Sequence, residues 1–211
     1  MKKMLIGLFL LLLVSPVYPA QMIASVTPIF AKQVTALNES FTDRGTLYEG
    51  DAGVFSSGVA LRGYHLFKKS FSNSSSVYDA ATKKYVPLSV ESSFFASRIE
   101  LGIPFFSFGG SVIEPFFVNS YTNNCYSVTG EKISYGETRI NNTPGLGIMY
   151  TQLISRGQSI NAKYFSTPKD SLLDLKYNWF RNISAISAGY TFRTYDHIKI
   201  EGPFLAISII F

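Results

Sequence analysis

Cysteine is almost missing from this sequence: Cys125 is the only one among 211 residues. A single thiol excludes an internal disulfide and any metal centre built on cysteine spacing. Its distance from the N-terminus also excludes a lipid-bearing first cysteine of a mature lipoprotein. Cys125 therefore reads as an unpaired loop residue, with intermolecular pairing as the alternative. Charge is scarce as well. Charged residues make up 16% of the chain, against about 25% in ordinary water-soluble domains, which leaves little to cover a water-facing surface. The net charge of +5 is too mild to argue for nucleic acid, and no patch interleaves Arg or Lys with aromatics. His65 and His197 are the only histidines. There is no His-Glu-x-x-His zinc motif and no glycine-rich phosphate loop, so no cofactor or metal is expected. Beyond residue 20 no apolar run approaches the ~20 residues of a membrane-spanning helix.

What the sequence does have is aromatic weight, 15% of residues with 13 Tyr and 18 Phe, and an N-terminus of one recognisable layout. Met1-Lys2-Lys3 leads into an apolar stretch from Met4 to Val14 that ends in Ser-Pro-Val-Tyr-Pro-Ala. That is the order of parts in a secretory signal peptide, and the stretch is too short to anchor the chain as a helix. Residues 1–20 are expected to be removed, with Tyr18 large enough that cleavage could fall a few residues from Ala20. The remaining chain, near +3 once Lys2 and Lys3 are gone, suffices for one domain. A chain apolar overall but never continuously so suits strands that alternate between lipid and a lumen.

Alternation is clearest at the C-terminus. Leu205, Ile207, Ile209 and Phe211 recur every second residue, sharing one face of a strand that ends on an aromatic carboxyl terminus. In residues 171–180, Leu173, Leu175, Tyr177 and Trp179 oppose Asp174, Lys176 and Asn178; after an Arg181-Asn182 turn, residues 183–193 set Ile186, Ala188, Tyr190 and Phe192 against Ser187, Gly189, Thr191 and Arg193. Residues 159–165, 144–153, 111–119 and 93–104 follow suit, and a first strand is expected over residues 53–67, with Phe55, Val59, Leu61 and Phe67 on one face. That makes eight antiparallel strands in an all-β, up-and-down transmembrane barrel. With Phe211 placed in the periplasm, the turns at 106–110, 155–158 and 181–182 are short, while the outer connections at 68–92, 120–143, 166–170 and 194–202 are polar and two of them are long. Short periplasmic turns and longer outer loops are the rule for such barrels.

In its export signal, its strands, its long outer loops and its aromatic-ended last strand, the chain resembles the small bacterial outer-membrane barrels of the OmpA transmembrane, OmpX and OmpW kind, over residues 53–211. The resemblance is one of pattern. It implies a bacterial outer-membrane location, with membrane lipid, lipopolysaccharide and the outer-membrane assembly machinery as partners; the machinery would read Leu205, Ile207, Ile209 and Phe211. Residues 21–52 fall outside it and could form a periplasmic extension, an amphipathic helix or an extra strand pair, which would make ten strands.

Assigning the polar faces inward puts Arg62, Arg98, Glu100, Glu114, Lys163, Asp174, Lys176 and Arg193 in the lumen. Counted from the periplasmic ends, Arg98, Glu100, Glu114, Lys163, Asp174 and Lys176 lie at similar depth, three cations with three carboxylates. Unpaired charge is costly in a narrow lumen, so this layer is expected to pair as a structural plug, with a path for small solutes as the alternative. Some small outer-membrane barrels modify lipid A with a His, a Ser and a carboxylate. His65 with Ser70 and Ser72 nearby, and His197, are the candidates here, but the spacing departs from the compact His-x-Ser-Asn pattern, so an enzyme is the lesser expectation. The Ser-, Asn-, Thr- and Tyr-rich outer loops remain as solvated surface or as contacts to a host or other surface ligand.

Overall fold

The computed structural model describes residues 21–35, 42–56, 58–106, 109–130, 134–196 and 198–211. The expected signal peptide lies outside the described residues, as does His197. The described residues form the strands β1 (Gln21–Thr35), β2 (Thr42–Ser56), β3 (Val59–Asp79), β4 (Lys84–Gly102), the two-residue β5 (Phe105–Phe106), β6 (Ser111–Gly130), β7 (Ser134–Ser155), β8 (Gln158–Ser166), β9 (Asp170–Arg181), β10 (Ser184–Tyr195) and β11 (Ile198–Ile210). Pairing is antiparallel throughout. The order runs β4-β3-β2-β1-β11-β10-β9-β8-β7-β6, and β4 pairs with β6 to close the sheet into a ten-stranded barrel, with β5 laid along the start of β6. Closure leaves no open edge within the wall, which is what hydrocarbon requires of a sheet.

Ten strands replace the eight expected, because residues 21–56 build β1 and β2. The expected first strand over residues 53–67 is the end of β2 joined to the start of β3. The turn between them contains Gly58 at φ +81°, a left-handed conformation that glycine adopts without strain. Phe55 and Ala60, placed on one continuous strand from the sequence, are register partners on two. The pattern of β2 is hard to read because Gly45, Gly50 and Gly53 interrupt it and its inward positions carry Glu49 and Asp51.

The long outer loops expected at 68–92 and 120–143 are mostly strand. Pairing of β3 with β4 runs on to Asp79↔Lys84, and that of β6 with β7 to Thr129↔Ser134. At 22 residues β7 far exceeds the 9–11 that cross a bilayer, whereas β8 has only 9. The four long strands therefore stand beyond the barrel rim as a sheet at the end opposite the chain termini. With water on both sides, that sheet has no reason to alternate apolar with polar, so the period-2 signal vanishes there. Asp79 closes the β3–β4 turn, accepting hydrogen bonds from the Ala81 N–H at 2.9 Å and the Thr82 hydroxyl at 2.7 Å.

The outer face of the wall is apolar and exposed. Ile99, Leu146, Ile148, Leu175, Ile186 and Ile207 stand on it, with Trp179 and Phe211 near the termini. A continuous apolar belt of this kind suits lipid, not water. Inside, the rings of Phe116 and Phe204 reach against Gly147 and Gly189, where a side chain would meet them.

Candidate functional site: the charged lumen

On strand after strand, a charged inward residue sits nearer the termini end than an apolar one. Glu49 precedes Leu47 in this sense on β2, Arg62 Leu66 on β3, Arg98 Phe94 on β4, Lys163 Phe165 on β8, Asp174 Leu172 on β9 and Arg193 Tyr195 on β10. The lumen is thus layered. A cavity of about 220 Å³ with mixed polar and apolar lining occupies the termini end, a sheet of charges crosses the middle, and buried apolar side chains fill the level beyond, where Leu66, Phe94, Tyr195 and Ile198 pack together.

The charges pair across the barrel. Arg62 grips Glu114 with both terminal nitrogens, at 2.5 and 2.6 Å. Glu100, fully buried, accepts from Lys163 at 2.7 Å and from Arg98 Nε at 3.1 Å, with Arg62 at 3.9 Å. Glu49 holds Arg193 at 2.5 Å and Arg98 at 3.3 Å. Asp174 takes Arg193 at 3.4 Å and the Thr191 hydroxyl. Tyr64 sits between two of the cations: its ring lies 3.9 Å from the Arg98 guanidinium carbon and 4.1 Å from Lys163 Nζ, and its hydroxyl accepts from Lys163 at 2.9 Å. Such paired, hydrogen-bonded geometry is what buried charge needs to be tolerated.

Of the six residues expected to form the layer, Arg98, Glu100, Glu114 and Lys163 are brought together, Glu114 through Arg62. Asp174 joins through Arg193. Lys176 stands one inward position nearer the termini, lining the cavity with Asp51, and among the described residues makes no ion pair within 4 Å. The layer balances through Glu49, Arg62 and Arg193, which the sequence did not group with it. Glu49 belongs to a stretch left outside the barrel, and the relative heights of Arg62 and Arg193 depend on strand stagger, which no single strand's pattern carries.

His65 is exposed on the outer face. Its Nδ1 lies 2.7 Å from the Ser97 hydroxyl, between the rings of Phe67 and Phe95. Ser97, its register partner on β4, takes the place expected for Ser70 or Ser72. Cys125 is half-buried in the projecting sheet, with the Thr138 hydroxyl 3.4 Å from its sulfur. In the same sheet Glu137 accepts from Arg139 Nε at 2.5 Å and from the hydroxyls of Tyr126 and Tyr135 at 2.5 and 2.7 Å. These donors, Arg139 foremost, hold its carboxyl down at a pKa of about 2, and the shared proton raises the Tyr126 phenol.

No family model matches the chain, and no curated protein matches it. Solved structures do. The β domain of the Bordetella autotransporter BrkA is similar at 11% identity and a TM-score of 0.53, covering 90% of this chain and 98% of that one. The translocator domain of the autotransporter NalP from Neisseria meningitidis has 11% identity and a TM-score of 0.47, covering 99% and 94%. Ail, the attachment invasion locus protein of Yersinia pestis, has 9% identity and a TM-score of 0.41, covering 91% and 97%. The chain has the fold of the small bacterial outer-membrane β-barrels, in a ten-stranded form, and its apolar outer face suits it to that membrane.

Proposed function

We propose that this protein is a bacterial outer-membrane barrel whose lumen is closed to solutes and whose activity lies in contacts made by the projecting four-stranded sheet, as a structural or surface-interaction protein. The observation that carries this reading is the layered lumen: a balanced set of buried ion pairs backed by packed apolar side chains, beyond the cavity at the termini end. Phe211 and the short turns then lie in the periplasm and the sheet outside, where a host or other surface ligand would meet it. Leu205, Ile207, Ile209 and Phe211 serve as the assembly signal, and lipopolysaccharide surrounds the outer half of the wall. Planar-bilayer recording tests the closed lumen. A silent wild type supports it, and a large, steady conductance overturns it in favour of a channel.

The His65–Ser97 pair favours a second reading, a lipid-modifying enzyme, since a base within hydrogen-bond reach of a hydroxyl is the start of an activated nucleophile. A third group that would orient the histidine is not supplied by its ring neighbours Phe67 and Phe95. Mass spectrometry of lipid A from cells with and without the protein separates the readings, because only the enzyme changes acylation.

A further inference from the structure

We propose that the lumen cavity at the termini end binds a small zwitterion, an α-amino acid or a molecule of like build, with its ammonium group on Asp51 and its carboxylate on Lys176. The other charges that line this cavity are matched within the protein: Glu49 by Arg193, Arg62 by Glu114, Lys163 by Glu100 and Asp174 by Arg193. Two are left over, one of each sign. Asp51, half-buried on β2, has a carboxylate oxygen that is sealed from water and receives no hydrogen bond. Lys176, half-buried on β9, is the cation that acts on it most strongly. Yet among the described residues neither makes an ion pair within 4 Å, with the other or with a third group. The shape of the barrel keeps them apart. Around the wall β2 and β9 are separated by β1, β11 and β10, so the two side chains reach into the cavity from nearly opposite sides.

A charge without a partner is costly in a partly desolvated lumen, and two of opposite sign that face one space are satisfied together by a ligand that carries both. A lone anion would serve Lys176 at the expense of Asp51, and a lone cation the reverse. The cavity, at about 220 Å³, falls below the roughly 300–1,000 Å³ of sites for drug-sized molecules, which sets a small ligand. Between the charges stand the polar groups of Ser25 and Asn161 and the apolar side chains of Met149 and Phe204. The space therefore suits charged ends on an apolar body. The charge layer bounds the cavity on its far side, so the ligand enters and leaves at the termini end, away from the projecting sheet.

The test is isothermal titration calorimetry on the whole protein in detergent, with L-leucine as the probe. N-acetyl-L-leucine keeps the carboxylate and lacks the ammonium; L-leucinamide keeps the ammonium and lacks the carboxylate. Each should bind wild type about tenfold or more weakly than leucine, as expected for the loss of a hydrogen bond between charged groups. Glycine, which has no apolar body, should also bind about tenfold or more weakly. The variants should cross over. Asp51→Asn should lose the preference for leucine over N-acetyl-leucine and keep that over leucinamide, and Lys176→Met should do the opposite, a pattern that a merely structural role for either residue would not produce. No binding of leucine at millimolar concentration would overturn the site. So would binding of either capped analogue or of glycine as tight as that of leucine, or variants that keep both preferences. Should a variant fail to fold, the analogues on wild type decide the matter: discrimination against both capped forms supports the site, and its absence overturns it.

Discussion

Replacing Glu100 by Gln probes the lumen at its most connected point. The layer holds four carboxylates, on Glu49, Glu100, Glu114 and Asp174, against four cations, on Arg62, Arg98, Lys163 and Arg193. The substitution leaves three against four. Arg98 keeps Glu49, Arg62 keeps Glu114 and Arg193 keeps Glu49 and Asp174, so the cation stranded is Lys163, whose remaining partner is the Tyr64 hydroxyl. Stranding one member of a buried pair typically costs about 3–5 kcal/mol, and the cavity on the termini side, which Lys163 lines, places this case toward the lower figure. With a urea slope of about 2 kcal/mol/M, a loss of about 3 kcal/mol lowers the midpoint by about 1.5 M. Trp179, the only tryptophan, stands exposed on the outer face and reports loss of the lipid environment by its fluorescence. Removing the stranded charge should recover part of the loss, so Glu100→Gln with Lys163→Met should be more stable than Glu100→Gln alone. A single variant within about 0.5 kcal/mol of wild type, the ordinary range for a surface change, would refute the reasoning, since it would mean that water already shares the charge layer.

Leu175→Arg, on the lipid-facing side, should cost about 2–4 kcal/mol if it lies near the midplane. Asn178→Ala, three residues on and facing the lumen with hydrogen bonds to Ser159 and Ser187, should cost about 1 kcal/mol; equal tolerance at the two positions in urea unfolding would reverse the facing assignment. Phe211→Ala should lower the amount of heat-modifiable protein in the outer membrane, whereas unchanged levels would remove Phe211 from the assembly signal. In the projecting sheet the depressed carboxyl of Glu137 implies that its hydrogen bonds support the β6–β7 hairpin fully above the ordinary carboxylate value of 4.5 and fade as pH falls toward about 2. Side-chain NMR of Glu137 should therefore show titration well below that of an exposed glutamate, and a midpoint near 4.5 would refute the cluster.

How much of this was legible beforehand varies with what each residue faces. From residue 93 to the C-terminus every strand of the barrel wall except the two-residue β5 was found in the sequence, because a wall with lipid on one side and a lumen on the other forces alternation, as in Leu173, Leu175, Tyr177 and Trp179 against Asp174, Lys176 and Asn178. The same constraint put the charged residues inside. It failed in two places for two physical reasons. In β2 the inward positions are acidic and glycines dilute the rest, so no apolar stripe remained to count, and the strand number came out two short. In the projecting sheet water lies on both faces, so residues 68–92 and 120–143 looked like loops although backbone pairing alone carries them on as strands. The ion pairs themselves could not be read from the chain. Arg98 meets Glu49 and Lys163 meets Glu100 because of the stagger at which ten strands close, and closure is a property of the whole sheet, whereas alternation belongs to each strand alone.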